Sequence, residues 1–163
     1  MFAKRRPFML FTHTLHPSRK NIRLSPVVYQ LSGLTFLTVC TLDREPLFGC
    51  IEQGVLHPTE IGNQVAAHLD WFANRYPGMK ILQWVVMPNH IHLLVFRNQD
   101  RATISLAGFI NQFKGCTTRV CGRKIWQRGY YDHLVRTPGD GVRIMEYIEN
   151  NPRKWELDRY FGE

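Results

Sequence analysis

Two pairs of residues are spaced in ways that suit chemistry. His90 and His92 stand two apart in the run His90-Ile91-His92-Leu93-Leu94-Val95-Phe96. Alternate side chains of a strand share a face, so both imidazoles would point the same way while Ile91 turns into the core. Neutral imidazole is a good ligand for divalent first-row metals, and a stiff apolar strand would hold two of them steadily. Tyr147 and Asn151 stand four apart in Ile144-Met145-Glu146-Tyr147-Ile148-Glu149-Asn150-Asn151-Pro152. On a helix that spacing stacks a phenol, a nucleophile once ionised, one turn from a carboxamide oxygen able to ligate a metal. Each pair also has a plainer reading: histidines on the polar face of a strand, and a packed tyrosine near a helix-terminal asparagine. Pro152 disfavours helical angles at the residue before it and would turn Asn151 away from the Tyr147 face. Spacing alone leaves both readings open.

The elements that must position these residues follow from periodicity. Residues 34–41, Leu-Thr-Phe-Leu-Thr-Val-Cys-Thr, are β-branched and aromatic with partial alternation and predict a strand. Ile61, Val65, Leu69, Phe72 and Tyr76 recur at helical spacing, giving an amphipathic helix that Pro58 opens and Pro77-Gly78 stops. Residues 80–86 and 90–96 predict two strands joined at Met87-Pro88-Asn89 as a hairpin. Leu106, Ile110, Phe113, Thr117 and Val120 mark a second helix, capped by Thr103 or Ser105 and closed near Gly122. A fourth strand is expected within 125–136, then a third helix over Val142, Ile144, Met145 and Ile148, capped by Asp140 and stopped at Pro152. Strand, helix, strand, strand, helix, strand, helix is the order of an α+β ferredoxin-like sandwich, an antiparallel sheet with helices packed on one face.

Composition bounds what this framework can serve. The chain has 163 residues, 44% of them hydrophobic, enough for an ordinary core, which excludes disorder and a disulfide-stapled miniprotein. No apolar run approaches the roughly 20 residues that cross a bilayer, and the N-terminus lacks a secretory h-region. Cys40, Cys50, Cys116 and Cys121 form no C-x-x-C pair, so a reducing, cytoplasmic setting is expected. Lysine and arginine number 21 against 13 acidic residues, a net charge of +8. The first acidic residue is Asp43, so residues 1–30, with three prolines, form an irregular basic arm ahead of a single domain over 31–163. An acid-free basic arm suits a polyanion, although a solvated tail has the same composition.

Three segments together carry a resemblance. Val85-Val86-Met87-Pro88-Asn89-His90-Ile91-His92-Leu93-Leu94, then Trp126-Gln127-Arg128-Gly129-Tyr130-Tyr131-Asp132-His133-Leu134-Val135-Arg136, then Tyr147-Ile148-Glu149-Asn150-Asn151-Pro152 resemble, in that order, the REP-associated tyrosine transposases of the single-tyrosine HUH superfamily. The likeness runs over residues 34–152. It implies that His90 and His92 are the paired HUH histidines, Tyr147 the catalytic tyrosine and Asn151 the polar third metal ligand. The resemblance also implies Mg²⁺ or Mn²⁺ as the cofactor, the ferredoxin-like fold already expected, and a single-stranded DNA substrate folded into a hairpin.

On that reading Tyr147 attacks a backbone phosphorus, releases a 3′-hydroxyl and keeps a 5′-phosphotyrosine link, which the reverse step resolves without ATP. No G-x-x-x-x-G-K-[ST] segment is present. DNA contacts are expected from Arg5, Arg6, Arg19, Lys20 and Arg23 in the arm and from Lys114, Arg119, Arg123, Lys124, Arg128 and Arg136 further on. Trp126, Tyr130 and Tyr131 interleave with the latter group and offer stacking surfaces for unpaired bases, Trp126 reading equally as a core aromatic. Tyr130 or Tyr131, beside Asp132 and His133, is the alternative nucleophile. Whether His133 reaches the site, and whether the chain works as monomer or homodimer, is open. Two other classes fit parts of the pattern: a ferredoxin-like nucleic-acid-binding module without catalysis, and a zinc hydrolase of small substrates.

Overall fold

The computed structural model describes residues 33–157. The expected arm over 1–30, with Arg5, Arg6, Arg19, Lys20 and Arg23, lies outside the described residues. The main sheet is antiparallel with four strands: β1 (Leu34–Cys40), β4 (Met79–Met87), β5 (His90–Arg97) and β6 (Tyr131–Leu134), in the order β4-β5-β1-β6. That is the ferredoxin-like arrangement, with the two strands of the β4–β5 hairpin at one side and β1 bridging to the late strand β6.

Two helices cover one face. Helix α1 (Glu60–Phe72) and helix α2 (Leu106–Cys121) bury Val65, Leu69, Phe72, Phe109, Ile110 and Phe113 against Leu37 and Val39 of β1 and Ile91, Leu93 and Val95 of β5. The alternate residues of the same strands face the other way. There Leu34, Val85, Met87 and Leu94 meet Ile148 of helix α3 (Pro138–Asn150), which adds a partial layer on the opposite face. Gln83 Nε2 donates to the Met145 carbonyl at 3.1 Å and ties that helix to β4. His90 and His92 belong to this second face, in line with Leu94.

Local chemistry sets the helix ends. The Thr59 hydroxyl accepts from the Gly62 N–H at 3.1 Å and donates to the Leu47 carbonyl at 2.6 Å, so Thr59 caps α1. Pro58, the expected helix opener, is instead the last residue of a strand. Tyr76 lies beyond the end of α1 at Phe72. Ser105 caps α2, as expected of one of two candidates, and Gly122 closes it at φ 70°. Thr137, not Asp140, caps α3: Pro138 fits the first helical turn, where its missing N–H costs nothing, and starts the helix earlier.

Two further differences from expectation have clear causes. Strands β2 (Gly49–Glu52) and β3 (Val55–Pro58) form a small separate hairpin turning at Gln53 and Gly54, both at positive φ (52° and 74°). Such turns announce themselves through Asn-Gly or Asp-Gly, and glutamine in the first place hides the signal. The fourth strand is shorter than expected. Trp126 bridges Thr41 and Gln127 N–H donates to the Cys40 carbonyl at 3.0 Å; the chain then leaves the ladder, turns through Gly129 (φ 80°) and resumes pairing at Tyr131. No helix among the described residues is long and apolar enough to cross a membrane.

Candidate active site

The histidine pair sits in the middle of the sheet. Strand β5 is hydrogen-bonded on both sides, and His90 and His92 are 0% and 1% exposed. Their Nε2 atoms lie 3.0 Å apart. His90 Nδ1 is 2.8 Å from Asn89 Oδ1, an atom that only accepts, so the proton sits on Nδ1 and Nε2 presents a lone pair. Thr38 Oγ1 lies 2.9 Å from His92 Nδ1, and a hydroxyl serves either tautomer of that ring. Two imidazole nitrogens this close need a proton or a cation between them. The edge of an octahedron with metal–ligand bonds of about 2.1 Å measures about 3 Å, so the pair fits two adjacent positions of such a site.

Helix α3 brings the phenol to the same place. Tyr147 Oη is 3.4 Å from His92 Nε2, and its ring meets the Phe36 ring edge-on at 5.9 Å between centroids. The Tyr147 side of the helix opens to solvent, with the residue 42% exposed. Asn151 retains helical angles (φ −56°, ψ −45°) despite Pro152, so the one-turn spacing from Tyr147 survives, contrary to the expected rotation. Asn151 is 2% exposed and its Oδ1 has no hydrogen-bond partner. A buried acceptor left so costs about 1–3 kcal/mol, which a cation would offset. Trp155, in the turn that follows, lies with its ring 5.9 Å from that of His90, so this turn packs against the histidines. Among the described residues no group of three or more His, Cys, Asp or Glu gathers as a metal site. The two imidazoles and the orphaned Asn151 carboxamide oxygen are the donors the sequence expectation names, and donors of that chemistry would suit a borderline or hard divalent ion.

A cleft of about 670 Å³ opens beside this group, lined by Thr38, His92, Tyr131, His133, Arg143 and Tyr147 among others. Tyr131 pairs with Thr38, and His133 with Phe36, so both project from the face that carries His92. His133, whose place the sequence left open, therefore faces the cleft. Tyr130 turns the other way and packs against the α1–α2 core; burial and the nearby Asp132 carboxylate push its phenol above the usual tyrosine range. Tyr130 is thus no partner of the histidines.

The basic residues divide. Arg119, Arg123, Lys124, Arg128 and Arg136 are exposed, Arg123 pairing with Glu45 at 3.6 Å. Lys114 turns inward: its ammonium donates to the Gln127 carbonyl at 2.8 Å and to that of Gly129, and burial lowers its pKa. It fastens the loop leading to β6 rather than adding to the charged surface. Trp126 is a core residue, 3% exposed, its Nε1 donating to Thr117 Oγ1 at 2.8 Å. Sequence reasoning passed over Thr38, Asn89 and Arg143. Asn89 carries a signal, since it precedes His90 in a tight turn; Thr38 and Arg143 become visible only through the β1–β5 register and the α3 docking.

Residues 52–151, which include both histidines, Tyr147 and Asn151, match the family model described as "Transposase IS200 like". A Haemophilus influenzae protein described as uncharacterized is 29% identical over 88% of this chain and 93% of its own length. A REP-associated tyrosine transposase of Escherichia coli K12 is 32% identical over 46% of this chain and 45% of its own length. The fold is similar to that of a REP-associated tyrosine transposase solved bound to a REP hairpin, with a TM-score of 0.60 and 23% identity over 78% of this chain and 71% of that one.

Proposed function

This chain belongs to the IS200-like transposase family, and we propose that it cleaves and rejoins single-stranded DNA with Tyr147 as the nucleophile. The observation that carries the proposal is the position of Tyr147 Oη, 3.4 Å from His92 Nε2 and beside the paired histidines of the same chain. A phenol has a free pKa of about 10, so its reactive oxyanion is scarce at neutral pH and has to be drawn out by its surroundings. Tyr147 Oη attacks the phosphorus, the phosphorus–O3′ bond breaks, the phenol proton leaves to solvent and the departing 3′-oxygen takes one up. A 5′-phosphotyrosine ester remains, and attack by another 3′-hydroxyl reverses the step with the phosphodiester energy retained.

His90, His92 and Asn151 would hold the divalent ion, Mg²⁺ or Mn²⁺. When bound, such an ion polarises a non-bridging phosphate oxygen and offsets developing negative charge. The Phe36 edge and the His92 ring hold the phenol at a fixed distance, and the stiff central strand keeps both imidazoles in place, so the reactants meet already oriented. Tyr147 lies beside His92 of its own chain, which supports a site built within one protomer. The hairpin seen with the structural relative supports a hairpin-bearing strand as substrate. Exposed Arg119, Arg123, Lys124, Arg128 and Arg136, with the basic arm, would take its phosphates.

The test is a denaturing gel. The protein is incubated with Mn²⁺ or Mg²⁺ and a pool of hairpin oligonucleotides bearing random single-stranded flanks. A slow-migrating covalent adduct is expected, and none with Tyr147→Phe, which should still bind the DNA. Tight binding with no adduct from the unmodified protein would leave a binding module without catalysis. An adduct persisting in Tyr147→Phe would transfer the nucleophile to Tyr131, the other tyrosine on that face among the described residues.

A further inference from the structure

The cleft is larger than a scissile phosphate needs; at about 670 Å³ it falls within the range of sites that enclose a small ligand. Its walls are chemically distinct. Asp140, Arg143, Tyr147 and Asn151 follow one another at spacings of three, four and four, a single row along α3 and its continuation. Arg143 stands one turn before Tyr147, about 6 Å along the helix axis. An extended nucleic-acid strand spaces successive phosphates by a comparable distance. The Arg143 side chain is 80% exposed, with Nη1 3.4 Å from Asp140 Oδ1, which steadies the guanidinium and leaves further N–H groups for an anion. Across the cleft, β6 presents Tyr131, 53% exposed, while Phe36 and Ile144 give the cavity apolar surface.

We propose that the space between the first two turns of α3 and strand β6 is a nucleotide subsite. Arg143 takes the phosphodiester next to the scissile one, and Tyr131 stacks on the base between them. The strand therefore runs along α3, with the scissile phosphate at Tyr147 and its neighbour one helical turn away. Arg143 acts as a positioning residue: it sets where the backbone lies, and so which phosphorus faces the phenol. This inference rests on Tyr147 as the nucleophile.

The experiment uses the adduct-forming oligonucleotide recovered from the pool, with each phosphate replaced in turn by an uncharged methylphosphonate. On unmodified DNA, Arg143→Ala should raise the half-saturating concentration about tenfold. Arg143→Lys should recover part of that loss. At one phosphate adjacent to the scissile one, the methylphosphonate should abolish the difference between Arg143→Ala and the unmodified protein. Tyr131→Ala should weaken binding several-fold, a difference erased by an abasic nucleotide between the two phosphates. A penalty for Arg143→Ala that survives at both adjacent positions, or that vanishes only at a more distant phosphate, overturns the subsite. The coupling is measured by equilibrium binding with Tyr147→Phe as well as by adduct yield. Coupling together with an adduct that persists in Tyr147→Phe would sink the tyrosine reading alone, whereas a Tyr147-dependent adduct without coupling would sink the subsite alone.

Discussion

Asn89 and Thr38 show how much of the proposed metal site lies outside its expected ligands. Each touches the Nδ1 side of one imidazole, at 2.8 and 2.9 Å, and so governs which nitrogen of that ring carries the proton. The Asn89 contact is the more demanding, because an amide oxygen accepts in every tautomer while a hydroxyl adapts. Asn89→Ala should therefore weaken Mn²⁺ binding about 10- to 100-fold, read from calorimetric titration and from the Mn²⁺ dependence of adduct formation. The Asn89 carbonyl bonds to Thr41 are main-chain contacts and remain, so the thermal midpoint should move much less. Equal loss of folding and metal affinity would assign Asn89 a purely structural role. Lys114 and Trp126 teach the converse lesson. A lysine or tryptophan in a basic stretch looks like a nucleic-acid contact, yet one spends its charge on two carbonyls and the other fills the core.

At the scale of elements, the site depends on how α1 meets the chain that precedes it. Gly62 lies in the first turn of α1 against the Phe48 carbonyl, and a methyl group there would overlap that oxygen and the backbone behind it. The same Phe48 residue donates its N–H to the Pro88 carbonyl at 2.9 Å, two residues before His90. Gly62→Ala should therefore cost about 1–3 kcal/mol through overpacking, seen as a lowered thermal midpoint, and should also reduce adduct yield through displacement of the β4–β5 turn. A stability loss with undiminished adduct yield at a temperature where the variant is folded would sever that link. Helices α1 and α2 and the β4–β5 hairpin were legible because their apolar periodicities are long and uninterrupted. The β2–β3 hairpin was not: its arms are four residues each, and Gln53 replaces the residue types that mark such turns. The expected strand over 125–136 conceals a break, since its apolar residues serve two ends of β1 with a loop between them.

Across the whole molecule, the charge of +8 is long-ranged and sequence-independent in its effect on a polyanion. Affinity for a single strand should fall steeply with salt, by about 0.7 in log–log slope for each phosphate contacted. Arg128 and Arg136 flank β6, the strand that walls the cleft, so Arg128→Ala with Arg136→Ala should flatten the slope by roughly that amount for each. An unchanged slope would place the bound strand elsewhere on the surface.

The amino-acid sequence determined the chemistry available, because residue type and local period are written in it. It placed two imidazoles on one strand face, set a phenol one turn from a carboxamide, and ordered the elements as a ferredoxin-like sandwich. The tertiary structure decided which of these groups meet. Whether α3 lies on the histidine face or with its sister helices depends on packing between residues more than fifty positions apart, and local period carries no record of that. It is the β1–β5–β6 register and the docking of Ile148 that bring Tyr147, His92, Tyr131 and Arg143 around one cleft.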